Sequence, residues 1–177
     1  MKTAMMWITA VALLLASCKK DNQVIPLSGT ITLSSRLYGS GPYYAKGFNF
    51  AQGATVNFVS QSSPVDLLVT PIQTLAGDVV GGIFESPQGL DALNLTNYFS
   101  NSNVAQNFFD TYSEVNVTSF TSMSDSLRVG EIYTFRTSGN KYAKILVKAI
   151  NLLNDGTQQY VDVQMQYKYQ PSGSTTF

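Results

Sequence analysis

Residues 131–170 alternate apolar and polar side chains almost without a break, a pattern that paired strands satisfy and a helix cannot. Glu131 to Thr137 reads as one strand, and Ser138-Gly139-Asn140 as a tight turn. Lys141 to Asn151 reads as a long second strand. It carries Ala143, Ile145, Val147 and Ala149 on one face, with Tyr142, Lys144, Leu146 and Lys148 on the other. Asn154-Asp155-Gly156 supplies the next turn, since Asn and Asp side chains bond their own backbone and Gly accepts positive φ. Gln158 to Gln170 then returns. Val161, Val163, Met165, Tyr167 and Tyr169 point one way, and Asp162, Gln164, Gln166 and Lys168 the other. A slip of one residue would bury the charged set, so the register is strongly specified. The expected product is an antiparallel meander with one buried face.

The upstream part repeats the theme in shorter pieces. Thr30-Ile31-Thr32-Leu33 starts a strand that Gly39-Ser40-Gly41-Pro42 must break. Phe48 and Phe50, then Gly53, then Val56 and Phe58 spell a hairpin. Val65 to Val69 is a third strand, expected to end at Pro64 and Pro71. Val79-Val80 and Ile83-Phe84 form a short strand or two, with bends expected at Gly81-Gly82. That glycine pair lacks the context of a phosphate loop and reads as a turn. Residues 86–125 are the least strand-like. Ser102 or Asn103 can cap a helix that carries Val104, Phe108 and Tyr112 four apart, with Phe109 beside them. Leu90 to Phe99 reads as a second, shorter helix or a loop, and Val115, Val117 and Phe120 as a strand. Ser119 to Ser126 is polar except for Phe120 and Met123, which makes it the candidate functional loop. The fold class that follows is all-β: antiparallel sheets and hairpins, sandwich- or meander-like, with a short helical insertion near residues 88–112.

Composition narrows the chemistry. Hydrophobic residues make up 44% and charged residues 12%, with Lys+Arg and Asp+Glu in balance at 11 each. Such a chain is neither disordered nor a nucleic-acid binder, which would show a basic excess. It has no histidine, so imidazole bases, catalytic triads and His-built zinc sites are excluded. Its carboxylates are scattered, and no serine sits in a nucleophile elbow. No catalytic residue and no metal site is nominated, and the chain reads as a non-enzyme. The charges are also segregated. Asp66, Asp78, Glu85, Asp91, Asp110, Glu114 and Asp125 fall in a stretch without Lys or Arg, whereas Arg128 to Lys168 is mainly basic. Either the two parts form faces that pair in the fold, or the first forms an acidic binding surface.

The only cysteine is Cys18, so no disulfide can form within the chain. It follows Lys2, an apolar run from Ala4 to Ala16, and the small residues Ala16 and Ser17. That run is too short to span a bilayer and has the three parts of a secretory signal. Leu15-Ala16-Ser17-Cys18 resembles the lipobox of bacterial lipoproteins. The resemblance implies cleavage before Cys18, acylation of its thiol with palmitate-like chains, and attachment to the outer membrane at its periplasmic or outer face. Several acyl chains would make the attachment durable. The expected organisation is a cleaved signal over 1–17, a polar tether over 18–27, a single β-rich domain over 28–170, and a tail over 171–177.

The spacing Gly130-x-x-Tyr133-x-Phe135-x-Thr137-x-Gly139-x-Lys141-Tyr142-x-Lys144-x-x-Val147, followed by Val161-x-Val163-x-Met165-x-Tyr167-x-Tyr169-Gln170, is similar to the C-terminal hairpins of HmuY-like lipoproteins. Gly47-Phe48-Asn49-Phe50 with Gly53, then Val65-Asp66-Leu67, is similar to that family's early sheet. The resemblance implies an all-β outer-membrane lipoprotein, and haem as a ligand held by axial His or Met. This chain departs from that pattern. It has no His, and only Met123 and Met165 follow Cys18. Met165 belongs to the alternating apolar set of its strand, which leaves Met123 as the candidate ligand residue, with Phe120 beside it. The expected function is a non-catalytic binding module of the cell envelope for haem or another small apolar ligand. The alternative is a structural or assembly lipoprotein whose partner is another surface protein.

Overall fold

The computed structural model describes residues 27–60 and 62–177. The signal segment, Cys18 and all of the tether except Leu27 lie outside the described residues. The described part is all-β with antiparallel sheets and one short α-helix. Nine strands form in chain order: β1 Ser28–Ser34, β2 Ala45–Asn49, β3 Ala54–Phe58, β4 Leu68–Gln73, β5 Val79–Glu85, β6 Leu93–Tyr98, β7 Glu131–Arg136, β8 Tyr142–Asn154 and β9 Gln159–Gln170. Helix α1 spans Ser102–Thr111, and Pro87–Gly89 make a single 3-10 turn.

The main sheet has the order β1-β9-β8-β7-β6. Its centre is the expected meander, in the expected register: Val161, Val163, Met165, Tyr167 and Tyr169 are all buried on one face of β9. β1 closes one edge, with Ile31 opposite Met165 and Leu33 opposite Val163. The hairpins β2–β3 and β4–β5 lie over that buried face. A bridge between Phe48 and Leu67 joins them, with Phe48 N–H donating to the Leu67 carbonyl at 2.8 Å. Phe48, Phe50, Leu67, Val69 and Phe84 from the hairpins fill the core against Tyr133, Phe135, Ile145, Val163 and Tyr167 of the sheet. The aromatic rings meet edge-on, Phe48 and Tyr167 at 4.8 Å and Phe84 and Tyr133 at 5.4 Å, which is the favoured arrangement. On the other face of the sheet, Ala105 and Phe109 of α1 pack on Ile132 and Leu146. The layers are therefore hairpins, sheet and helix.

Several expectations change at the level of elements. Leu90 to Phe99 is neither helix nor loop for most of its length: Leu93–Tyr98 is the edge strand β6, paired with β7. Val115, Val117 and Phe120 do not make a strand. The backbone pairing of that segment is limited to isolated bridges, Glu114 to Thr176 of the C-terminal tail and Thr121 to Leu93 of β6. Pro71 does not end a strand but lies inside β4, opposite Gly82. At that point β4 has a partner on one side only, so the missing N–H can face the unpaired side. Gly81-Gly82 is no turn and sits within β5. A Cβ on Gly82 would come within 2.8 Å of a Val161 methyl, so the glycine lets β5 approach β9 closely. A bulge after Val147 flips the parity of β8. Ile150, opposite Val163, then takes the inward place that the simple alternation gives to Ala149. The helix cap is Asn101, whose side chain accepts from the N–H of Asn103 and Val104. The buried side of α1 is Ala105 and Phe109, and Val104 is exposed.

The acidic and basic stretches do not pair. The ion pairs among the described residues are Arg36–Asp155 and Arg128–Glu131, and neither links Asp66–Asp125 to Arg128–Lys168. Residues 171–177 lie back on the domain. Thr176 bridges to Glu114, and the ring of Phe177 packs 6.0 Å from Tyr112 at the end of α1.

Candidate functional site

Segment 119–127 runs as a strap along one side of the sandwich, zipped to both layers. Toward the sheet, the N–H groups of Leu93 and Ala92 donate to the Thr121 carbonyl, and Thr121 N–H donates back to Leu93 at 2.8 Å. Toward the hairpins, Ser86 N–H donates to Ser122, Ser124 N–H to Phe84, and Leu127 N–H to Gly82. The candidate loop is thus held by backbone bonds on either side, with Leu127 buried in the core at its end and Met123 left outside.

Met123 is 52% exposed. With Leu93, Leu95, Thr121 and Tyr133 it lines a half-open groove of about 290 Å³ between β6 and the strap. Leu95 is itself exposed, because it stands on the edge strand. At the base, the buried Tyr133 hydroxyl donates to Glu131 Oε2 at 2.8 Å. Glu131 is 1% exposed and also accepts from Arg128 N–H at 3.0 Å and Arg128 Nε at 2.8 Å. Burial and then the bond to Glu131 push the Tyr133 phenol well above the ordinary tyrosine range. A phenol held neutral and a carboxylate already engaged by three donors do not make an acid–base pair for catalysis. The chemistry the groove offers is apolar contact from Leu and Met, with a polar rim.

Phe120 does not share this groove. Its ring instead lies under the Arg136 guanidinium, 4.6 Å from ring centre to carbon. The extended course of the strap explains the separation, since neighbouring side chains leave it on opposite sides. Met165 is fully buried between Ile31 and Val147. It cannot serve as a ligand while the core is intact. The groove offers one thioether and no imidazole, so its residues do not fit a haem held by two axial ligands of that kind. Among the described residues there is no group of three or more acidic or Cys side chains able to hold a metal ion. None of the described helices is long and apolar enough to cross a membrane.

Reading along the sequence missed two polar features. One is Glu131, whose burial follows from its place at the start of β7 under Arg128 and Tyr133. The other is Lys144, placed by alternation on an outward face and found 2% exposed beneath α1. No family model and no curated protein matches the chain.

Proposed function

We propose that this chain is a non-catalytic binding lipoprotein of the bacterial cell envelope, attached to the outer membrane through an acylated Cys18, and that it takes a small apolar ligand beside Met123. The observation that carries the reading is the groove lined by Leu93, Leu95 and Met123. Its exposed apolar side chains sit on a backbone held on both sides, which favours binding through preorganisation. The resemblance to HmuY-like lipoproteins supports the reading and makes haem the first ligand to try, with Met123 as a single thioether donor. Titrating the mature chain with haemin should give a saturable Soret shift that Met123→Ala weakens at least tenfold, about 1.4 kcal/mol. An unchanged band at micromolar haemin rules haem out. Absence of any saturable signal from an apolar dye such as anilinonaphthalene sulfonate, or one that Leu95→Asp leaves unchanged, rules out the groove.

A second reading, an assembly component that docks another surface protein, is favoured by one specific feature. Leu27 joins β9 beside Tyr169, at the end where Ser28 faces Lys168. At the opposite end, near Ser34 and the β8–β9 turn, Leu37 and Leu152 are exposed and Leu75 stands free at the tip of β4–β5. On a tethered domain those tips would face away from the membrane.

A further inference from the structure

Two small depressions adjoin where β7 runs into its turn. One, of about 140 Å³, lies between the Asn49–Asp66 region and the end of β7. The other, of about 220 Å³, lies along Leu90, Asp91 and the Thr137–Asn140 turn. They share Leu90, Arg136 and Ser138, and so form one cleft. Combined, they reach the lower end of ordinary small-molecule sites, about 300 Å³.

The polar groups of the cleft are unevenly engaged. The guanidinium of Arg136 sits over the Phe120 ring and donates one N–H to the Asp91 carbonyl at 3.0 Å. It makes no ion pair with any carboxylate among the described residues. Asp66 lines the same cavity, and its Oδ2 accepts from Phe50 N–H at 2.9 Å. Asp66 and Arg136 therefore present an acceptor and a set of donors to one small space without neutralising each other. Asn49, Ser63, Ser86, Ser138 and Asn140 complete the lining with uncharged polar groups.

That combination favours a neutral ligand whose groups both donate and accept. A ligand here must accept from Arg136 and donate to Asp66. A carboxylate accepts but cannot donate, and Asp66 and Asp91 repel any anion, a hydrogen phosphate included. An ammonium donates but cannot accept. The hydroxyl groups of a sugar do both, and Leu90 and Phe135 give its C–H face apolar contact. We propose that the Asp66–Arg136 cleft binds a neutral sugar unit. This site is separate from the Met123 groove and stands or falls independently of it.

The test is an amide and guanidinium NMR titration of the full mature chain with glucose, galactose and N-acetylglucosamine, with sodium acetate and glycine as counter-probes. At least one sugar should shift Phe50, Arg136 and Ser138 saturably in the millimolar range. Asp66→Asn, which keeps an oxygen to accept Phe50 N–H, should weaken that binding at least tenfold. Arg136→Met should do the same while retaining the apolar stem over Phe120. The proposal is overturned if no sugar gives a saturable shift. It is overturned equally if acetate or glycine alone does, or if both variants bind the sugar as the parent does.

Discussion

Lys144 is the residue whose environment departs furthest from its place in the sequence pattern. Strand alternation puts it on the outward face of β8, opposite Lys168. Helix α1 and the C-terminal Phe177 then cover that face. The ammonium donates to the Phe109 and Tyr112 carbonyls, the latter at 2.6 Å, where the end of α1 leaves acceptors without partners. The rings of Phe109 and Phe177 stand 4.8 and 5.4 Å from it, so cation–π attraction offsets part of the lost hydration. Burial first, then repulsion from Lys168, lowers its pKa to about 8, against the pull of Asp110. A lysine that releases its proton earlier in the folded state than at the ordinary 10.5 makes the unfolded chain bind more protons between those values. Stability should therefore rise with pH from about 8 toward 10.5. Tyr133, with its pKa raised by burial and Glu131, acts in the opposite direction only above the ordinary tyrosine value of 10. Urea midpoints at about pH 7.5 and about pH 9.5 should show the rise in the parent and not in Lys144→Met. A rise of equal size in the variant would refute the assignment.

At the scale of elements, β5 shows how one residue type can serve opposite ends. Gly81-Gly82 between apolar pairs looks like a bend, because glycine weakens strands. In the fold β5 runs through both and lies against β9, where the Val161 side chain occupies the space a Cβ on Gly82 would need. Gly82→Val should overpack this contact and lower stability by about 1–3 kcal/mol. Gly81→Ala meets Ser126 and Ile72 at 3.4 and 3.5 Å, ordinary contact distances, and should be close to neutral. Urea unfolding of the two variants separates the readings, since a turn would tolerate neither or both. The strap between β5 and β6 belongs to the same scale. Its polar composition reads as a free loop, yet its bonds to Phe84, Ser86 and Leu93 close the side of the sandwich. Those bonds use backbone groups, which carry no mark in the side-chain pattern.

For the whole molecule, location and binding are separate questions. The tether reading predicts that mass spectrometry of the membrane-extracted protein finds Cys18 as the acylated first residue. Cys18→Ser should move the protein to the soluble fraction, because on this reading the acyl chains are what hold it at the membrane. An intact Met1 with a free Cys18 thiol would refute lipid attachment.

The sequence by itself determined the antiparallel β character, the buried face of β9, and the exclusion of imidazole chemistry. Alternation and composition are local properties, and these conclusions need nothing more. Only the tertiary structure decided which layer covers each face of a strand. That choice buried Lys144, made Leu93–Tyr98 an edge strand where the pattern of Leu90 to Phe99 suggested a short helix or a loop, and sent Phe120 to Arg136 and Met123 into the groove beside β6. The physical reason is that a period of two tells which side chains share a face, whereas what lies against that face comes from residues far along the chain.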